Sequence, residues 1–293
     1  MGFWNVGADL VALISVIFPI FNPLPAHIIF GGDIMLDRGI RTAIAARGGD
    51  FVFSCIDNEL KKADAVVANL EGPLTDNPSV SVNSIPGDGA NYTFTFPISS
   101  PALLRKHNIG IVNLGNNHIY NFGAQGVGST TASLKSAGIT YFGDPPKYSV
   151  AHQRVRGLPL AFINYNEFGG SASTTLVQID LSRTLGEIPI VYTHWGIEYA
   201  STSVARIRAL AHKFVDEGAE IVIGSHPHVV EDHELYRGKH IYYSLGNFFF
   251  DQYFSDAVRR GLLLDVALDR TGVKSVREIP IELLRDGRTC SVE

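Results

Sequence analysis

Short apolar runs alternate with polar turn clusters along most of this chain. Six of the runs are continuous and of strand length: HIIFGG (27–32), AVVANL (65–70), IGIVNLG (109–115), LPLAFINY (158–165), EIPIVYTH (187–194) and AEIVIG (219–224). Unbroken runs of this length suit strands covered on both faces. Between them the apolar spacing turns helical. Phe51, Cys55, Ile56 and Leu60 share one face over 50–63. A helix is predicted over 125–137, closed by Gly138, and another over about 203–217, ending at Gly218 with its N-cap among Ser201, Thr202 and Ser203. Residues 72–91, rich in Pro, Ser, Gly, Asn and Asp, form a long loop. YTFTF (92–96) alternates like a strand, and HIYYSLGNFFF (240–250) and GLLLDVALD (261–269) predict two late strands, antiparallel to each other. Strands interleaved with helices make the fold class α/β. No internal repeat or linker divides the chain after residue 27.

The N-terminus departs from this pattern. LVALISVIFPI (10–20) is apolar and uncharged, and Pro19, Asn22, Pro23 and Pro25 break it. It is short for a membrane span and suits the core of a signal peptide. Residues 1–9 hold no Lys or Arg, only Asp9, which fits a secretory leader poorly. We expect 1–26 to be a leader, either a signal peptide or a membrane anchor, and 27–293 to be the working domain. That places the domain at the cell surface or on the periplasmic side. A buried N-terminal element or a misassigned start is the competing expectation.

Composition narrows the classes. With 45% hydrophobic and 18% charged residues, the chain can bury a sizeable core. A net charge of −5 without a long basic run argues against nucleic acid as a partner. Cys55 and Cys290 lie far apart and in no metal spacing, so they read as a buried thiol and a tail thiol.

The chemistry collects where strands end. His226 and His228 follow AEIVIG directly, separated by Pro227. Proline pushes the preceding residue toward extended geometry, and in extended chain residues i and i+2 point the same way. Both rings can then face one cavity. Taken alone, the pair could equally be a solvated loop. Five apolar runs, however, end on ligand-type residues: Asp33, Glu71, Asn116-Asn117-His118, His194, and His226 with His228. In α/β sheets, sites form beyond the carboxyl ends of strands. Carboxylates and an amide mixed with imidazoles suit Mn, Fe, Zn or Co. Two divalent ions about 3.5–4 Å apart, with Glu71 between them, can clamp a phosphoryl group while a bound water attacks. His118 is then free to act as a general acid.

Other residues stay open between two readings. Arg38 either grips an anion bidentately or forms a structural salt bridge. Glu198 either orients a ligand histidine or makes an ion pair. Trp195, Tyr199, Tyr242 and Tyr243 either floor a groove or pack internally. Asp37 reads as a solvated turn or helix-start residue.

GGDIMLDR (31–38), NLEGPLT (69–75), LGNNHIYNFG (114–123), HWGIEY (194–199), GSHPHVV (224–230) and YYSLGNF (242–248) resemble, in order and spacing, the CapA-like poly-γ-glutamate capsule biosynthesis family. That family belongs to the calcineurin-like metallophosphoesterase superfamily. The resemblance implies a four-layer α/β/β/α sandwich with two mixed sheets face to face and a two-metal site. By motif, Asp33, Glu71, Asn117, His194, His226 and His228 look like the ligands, with Glu71 bridging. Asn117 and His118 look like the catalytic pair. Asn116, Glu198 and Asn247 look like contacts behind the ligands or to substrate. Two departures stand out. Met35 occupies the place of a ligand histidine in typical metallophosphoesterases, and Asn121 that of an aspartate usual in this branch. The implied function is a metal-dependent hydrolase in capsule or envelope polymer metabolism. Its substrate would be an anionic polymer or a phosphoester, and other capsule-synthesis membrane proteins its partners. The bond is either a phosphoester or a γ-glutamyl amide. The alternative is a non-catalytic polymer-binding or export component on the same fold.

Overall fold

The computed structural model of the protein describes residues 1–2 and 24–292, so the apolar stretch 10–20 lies outside the described residues. Among the described residues, no helix is long and apolar enough to cross a membrane.

The fold is mixed α/β with two large sheets. The eight-stranded sheet runs Thr289–Ser291, Gly272–Leu283, Arg260–Asp269, Ala26–Ile34, Ala65–Leu70, Ile109–Asn113 and Thr140–Phe142, with Asn247–Phe249 paired to Ala26–Ile34. The six-stranded sheet runs His233–Tyr236, Lys239–Tyr242, Ile221–Ser225, Ile188–His194, Leu158–Asn166 and Ala151–Val155. All six predicted apolar runs are strands, and within each sheet they pair parallel. Parallel register aligns their carboxyl ends. Asp33 lies opposite Asn69 and Asn247, and Asn69 opposite Asn113. In the other sheet Asn166, His194 and Ser225 form one row.

Strand alternation divides the apolar residues among three cores. Ile28, Phe30, Val67 and Leu264 of the first sheet meet Phe162, Ile190, Tyr192 and Ile223 of the second. On the other face of the first sheet, Ile29, Val66 and Val112 pack against Ile40, Val52, Leu60 and Leu134 from the helical segments. Ile163, Val191 and Val222 pack against Ile179, Ile207 and Phe214, from helices Ala172–Thr184 and Ala205–Glu217. Each such side chain contributes about 1.5–3 kcal/mol on burial.

Several expectations are corrected. The stretch 240–250 is two strands in different sheets: Lys239–Tyr242 is parallel to Ile221–Ser225, and Asn247–Phe249 is parallel to Ala26–Ile34. The chain crosses between the sheets at Gly246, φ 67°, where a Cβ on Gly32 would stand 1.8 Å from the Gly246 carbonyl oxygen. YTFTF is not a strand. Gly89–Tyr92 is a 3-10 turn, only Phe96–Pro97 pairs, and the Thr95 N–H donates to the Asp37 carboxylate at 2.9 Å. Asp37 is a helix-start residue, at the N-cap position of Arg38–Arg47, but not a solvated one. It is buried, and it also accepts from Ser81 and Arg41, which pins the long loop to the helix Arg38–Arg47. The predicted helix over 203–217 starts at Ala205 with Val204 at the N-cap position, a side chain that cannot accept a hydrogen bond, so none of Ser201, Thr202 and Ser203 caps it. The two cysteines are not separate thiols either: Cys55 and Cys290 form a disulfide, their Cα atoms 4.7 Å apart. The edge strand Thr289–Ser291 brings them together across 235 residues of sequence, a separation that hides the pairing from local reading.

Candidate metal centre

Asp33 sits near the end of Ala26–Ile34, Glu71 just past Ala65–Leu70, and His194 at the last position of Ile188–His194. His226 and His228 follow Ile221–Ser225 directly. All five side chains are buried. One ligand atom each from Glu71, His194 and His226 lies within 4.8 Å of the others. Asp33 Oδ2 is 3.3 Å from His228 Nδ1, and Glu71 Oε1 is 3.9 Å from His228 Nε2.

Neighbouring groups set the histidine tautomers. The Ser225 hydroxyl donates to the Thr193 carbonyl, so it can only accept from His194 Nδ1–H, at 3.0 Å. Asn247 spends its NH2 on Gln252 and Val258, so its Oδ1 accepts from His228 Nδ1–H, also at 3.0 Å. Both Nε2 atoms are left bare and lie 3.6 and 3.9 Å from Glu71 Oε1. Glu71 Oε1 and His226 Nδ1 are themselves buried and have no hydrogen-bond partner among the described residues. Buried lone pairs are costly unless something accepts them. A cation would satisfy this set, and hydrogen bonding at the far nitrogen is how ligand histidines are held.

The charge states of Asp33, His194 and His226 agree with that reading, whereas Glu71 would give up a proton on binding metal. Burial pushes the Asp33 carboxyl up, but the hydrogen bond from His228, with the neighbouring imidazoles, outweighs it and holds the group below the usual carboxylate range. Burial, then the Asp33 charge, push Glu71 well above its ordinary value. Burial, then His226, hold His194 well below the ordinary histidine value. Burial, then His228, bring His226 down to about 4. Imidazoles neutral at physiological pH are ready ligands.

The backbone at the histidine pair is not extended as expected. His226 has φ 99° and His228 φ 59°, both in the region that disfavours side chains other than glycine's. The chain turns sharply off the strand here, and the His226 N–H reaches Asp33 Oδ2 at 3.2 Å. The rings still share one cavity, with centroids 6.1 Å apart.

Asn117 joins the cluster through Oδ1, 2.8 Å from His194 Nε2. With Nε2 bare, the amide must turn its NH2 inward or share a cation with the ring. His118 leans on Phe94 at 4.4 Å, and its Nδ1 lies 3.4 Å from the Asn121 NH2. Burial, then His228, lower it to about 4. Asn116 stands behind the site, donating to Asn69 and to the Leu70 carbonyl. The Met35 sulfur accepts from the Asp37 N–H at 3.1 Å. Arg38 resolves into a structural bridge, its guanidinium bound to Asp251 and Asn91. Glu198 is exposed and reaches the cluster only through its charge on Glu71. Trp195, Tyr242 and Tyr243 are packed internally. Tyr199, 6.1 Å from the His228 ring, lines a cavity of about 750 Å³ beside the cluster, together with Arg38, Asn91, Tyr92 and Phe254.

Sequence reading missed three contributors. Asn69 and Ser225 are polar positions within or closing apolar strands, which was their only signal. Phe168, 47% exposed, covers the His226 ring at 4.4 Å and had no signal at all.

The pattern of the family described as "Bacterial capsule synthesis protein PGA_cap" matches residues 27–252. The chain belongs to this family. The PGA_cap match spans every residue of the cluster. Among curated relatives, the chain is 29% identical over 274 residues to the PGA biosynthesis protein CapA of Bacillus subtilis, covering 87% of this chain and 70% of that one. It is 30% identical over 244 residues to the capsule biosynthesis protein CapA of Bacillus anthracis, covering 75% of this chain and 59% of that one. A crystal structure of a Thermus thermophilus protein aligns over 87% of this chain and 98% of its own, at a TM-score of 0.48 and 10% identity.

Proposed function

We propose that this PGA_cap protein is a metal-dependent hydrolase of the metallophosphoesterase type that acts in the synthesis or processing of an anionic envelope polymer such as poly-γ-glutamate. The observation that carries the reading is Glu71 Oε1, buried and unpartnered, with two bare histidine nitrogens at 3.6 and 3.9 Å. Three cores, one between the sheets and one outside each, support the four-layer sandwich that the reading requires. Asp33, Glu71, Asn117, His194, His226 and His228 would hold two divalent ions of the Mn, Fe, Zn or Co kind. When bound, such ions supply an acidic water and offset charge on the reacting oxygens. The chain's own groups do the rest. Asn121 donates toward His118 Nδ1, which leaves the single proton of the neutral ring on Nε2, placed to hydrogen-bond a substrate or leaving-group oxygen. Asn247 and Ser225 keep the ligand rings aimed at Glu71. The adjoining cavity, with Tyr92, Tyr199 and Phe254, offers room for an extended substrate.

The names of the two CapA relatives favour the cell envelope as the place of action and capsule-synthesis proteins as partners. The Cys55–Cys290 disulfide favours an oxidising compartment. The second reading is a non-catalytic, polymer-binding component. Two observations favour it: His118 has an amide rather than a carboxylate beside it, and the Met35 sulfur is engaged with backbone.

The test is metal analysis beside parallel assays on an aryl phosphate and on poly-γ-glutamate. Wild type should carry two equivalents of transition metal, and Glu71→Ala should lose both if Glu71 bridges. Polymer binding that survives chelation, without turnover under any metal, would select the second reading. Absence of bound metal, with His226→Ala unchanged in activity, would overturn the first.

A further inference from the structure

Behind the cluster lies a file of buried amides that the metal reading does not use. Asn69 has two side-chain hydrogens and gives both to carboxylates: Nδ2 lies 2.8 Å from Asp33 Oδ1 and 2.6 Å from Glu71 Oε2. Its own Oδ1 accepts from Asn113 at 2.9 Å and from Asn116 at 3.1 Å, which fixes the way the amide faces. Asn113 Oδ1 in turn accepts from Asn164 Nδ2 at 2.8 Å. Asn164 belongs to Leu158–Asn166, in the other sheet, so the file spans both sheets. Every member is buried. Glycines make the room: a Cβ on Gly115 would stand 2.2 Å from Asn164 Oδ1, and one on Gly143 2.8 Å from Asn113 Oδ1. Every amide-to-amide bond in the file runs in one direction, toward the carboxylates, an arrangement in which each bond polarises the next.

The consequence falls on the carboxylates. Each has one oxygen held by Asn69 and one left over. The free oxygens are Asp33 Oδ2, which meets His228 and the His226 N–H, and Glu71 Oε1, which has no partner. Without Asn69, the two buried carboxyl groups would be free to rotate apart, and either oxygen of Glu71 could turn toward the histidines.

We propose that Asn69 is a positioning residue that selects which oxygen of Asp33 and of Glu71 is presented to metal, and that Asn113, Asn116 and Asn164 hold it in that role. The proposal rests on the metal reading above. Partners that orient ligands change metal affinity by about 10–100-fold when removed.

The test uses the full chain, stripped of metal and titrated with Co(II) and Zn(II) against a chromophoric chelator. Asn69→Leu should keep the circular dichroism and cooperative melting of metal-free wild type, bind about 10–100-fold more weakly, and shift the visible Co(II) spectrum. A purely structural role would lower melting and leave affinity and spectrum alone. If Asn69→Leu does not fold, Asn164→Ala, two amides away, decides the matter. It should weaken binding by about threefold or more, and unchanged affinity there overturns the proposal. Wild type that takes up no metal overturns the metal reading and this proposal together. Wild-type uptake with both variants unchanged overturns this proposal alone.

Discussion

Glu71 Oε1 lies 3.6 Å from His194 Nε2, with the bare ring nitrogen facing the carboxyl oxygen. Two lone pairs so placed repel unless a metal ion, or the proton that burial favours on Glu71, stands between them. The arrangement depends on Ser225, whose hydroxyl is already spent on the Thr193 carbonyl and so takes the His194 proton at Nδ1. Ser225→Ala frees that proton to move to Nε2, the atom the site needs bare. We expect about tenfold weaker metal binding with every ligand still present. Chelator competition reads it, and unchanged affinity would refute the tautomer argument.

The backbone of His226 predicts a divergence between two truncations. Its φ of 99° suits glycine and strains any other residue. His226→Gly and His226→Ala remove the same ring and leave nearly the same cavity beside Phe168 and His194. The glycine variant should nevertheless be more stable, by about 1 kcal/mol, because alanine keeps the strain. Denaturant melts of the metal-free proteins measure the gap. An alanine variant as stable as the glycine variant would mean that the turn carries no strain. Both should lose metal, so stability and binding part company at this position.

How much of this was legible depended on whether a residue broke a pattern. Asp33, Glu71, Asn117, His194, His226 and His228 stood out because each follows an unbroken apolar run, and the parallel register brings those ends together. Asn69 sits inside such a run and reads as a mere interruption, yet it touches both carboxylates. The helix Ala172–Thr184 was missed because Ser and Thr fill its first turn and its apolar face is weak. The stretch 240–250 looked like one strand because apolar periodicity does not show which sheet a residue joins. Two glycines in close contact, Gly32 and Gly246, decide that, and they lie more than 200 positions apart. The disulfide is the same kind of case: contact without sequence proximity.

The disulfide makes its own prediction. Cys290 closes a loop that begins at Cys55, on the edge strand that also sends Thr289 Oγ1 to the Phe248 carbonyl at 2.6 Å. A cross-link over so long a loop stabilises by about 2–4 kcal/mol. The variant Cys55→Ser/Cys290→Ser, or reduction of the wild type, should lower the melting temperature by about 5–10 °C. The double variant should be indifferent to reductant. Two alkylatable thiols in natively purified, unreduced protein would rule the bond out.

Glu231 predicts a pH dependence of stability that is separable from the metal site. It is 7% exposed, its Oε2 has no hydrogen-bond partner among the described residues, and its backbone N–H donates to the Ser244 carbonyl at 3.1 Å. Burial, only partly opposed by Arg208, raises its carboxyl from 4.5 to about 7. The folded protein therefore holds this proton more tightly than the unfolded chain does. The contribution to stability is complete below about pH 4.5 and is lost as pH rises through about 7. Glu231→Gln keeps the shape of the protonated form and cannot ionise. At pH 8 it should exceed wild type by about 3 kcal/mol, and near pH 4 the two should coincide. Urea melts from pH 4 to 8, in chelator so that metal uptake does not contribute, measure the difference. Parallel curves would show that Glu231 ionises in the fold as freely as it does in water, and that its burial costs nothing.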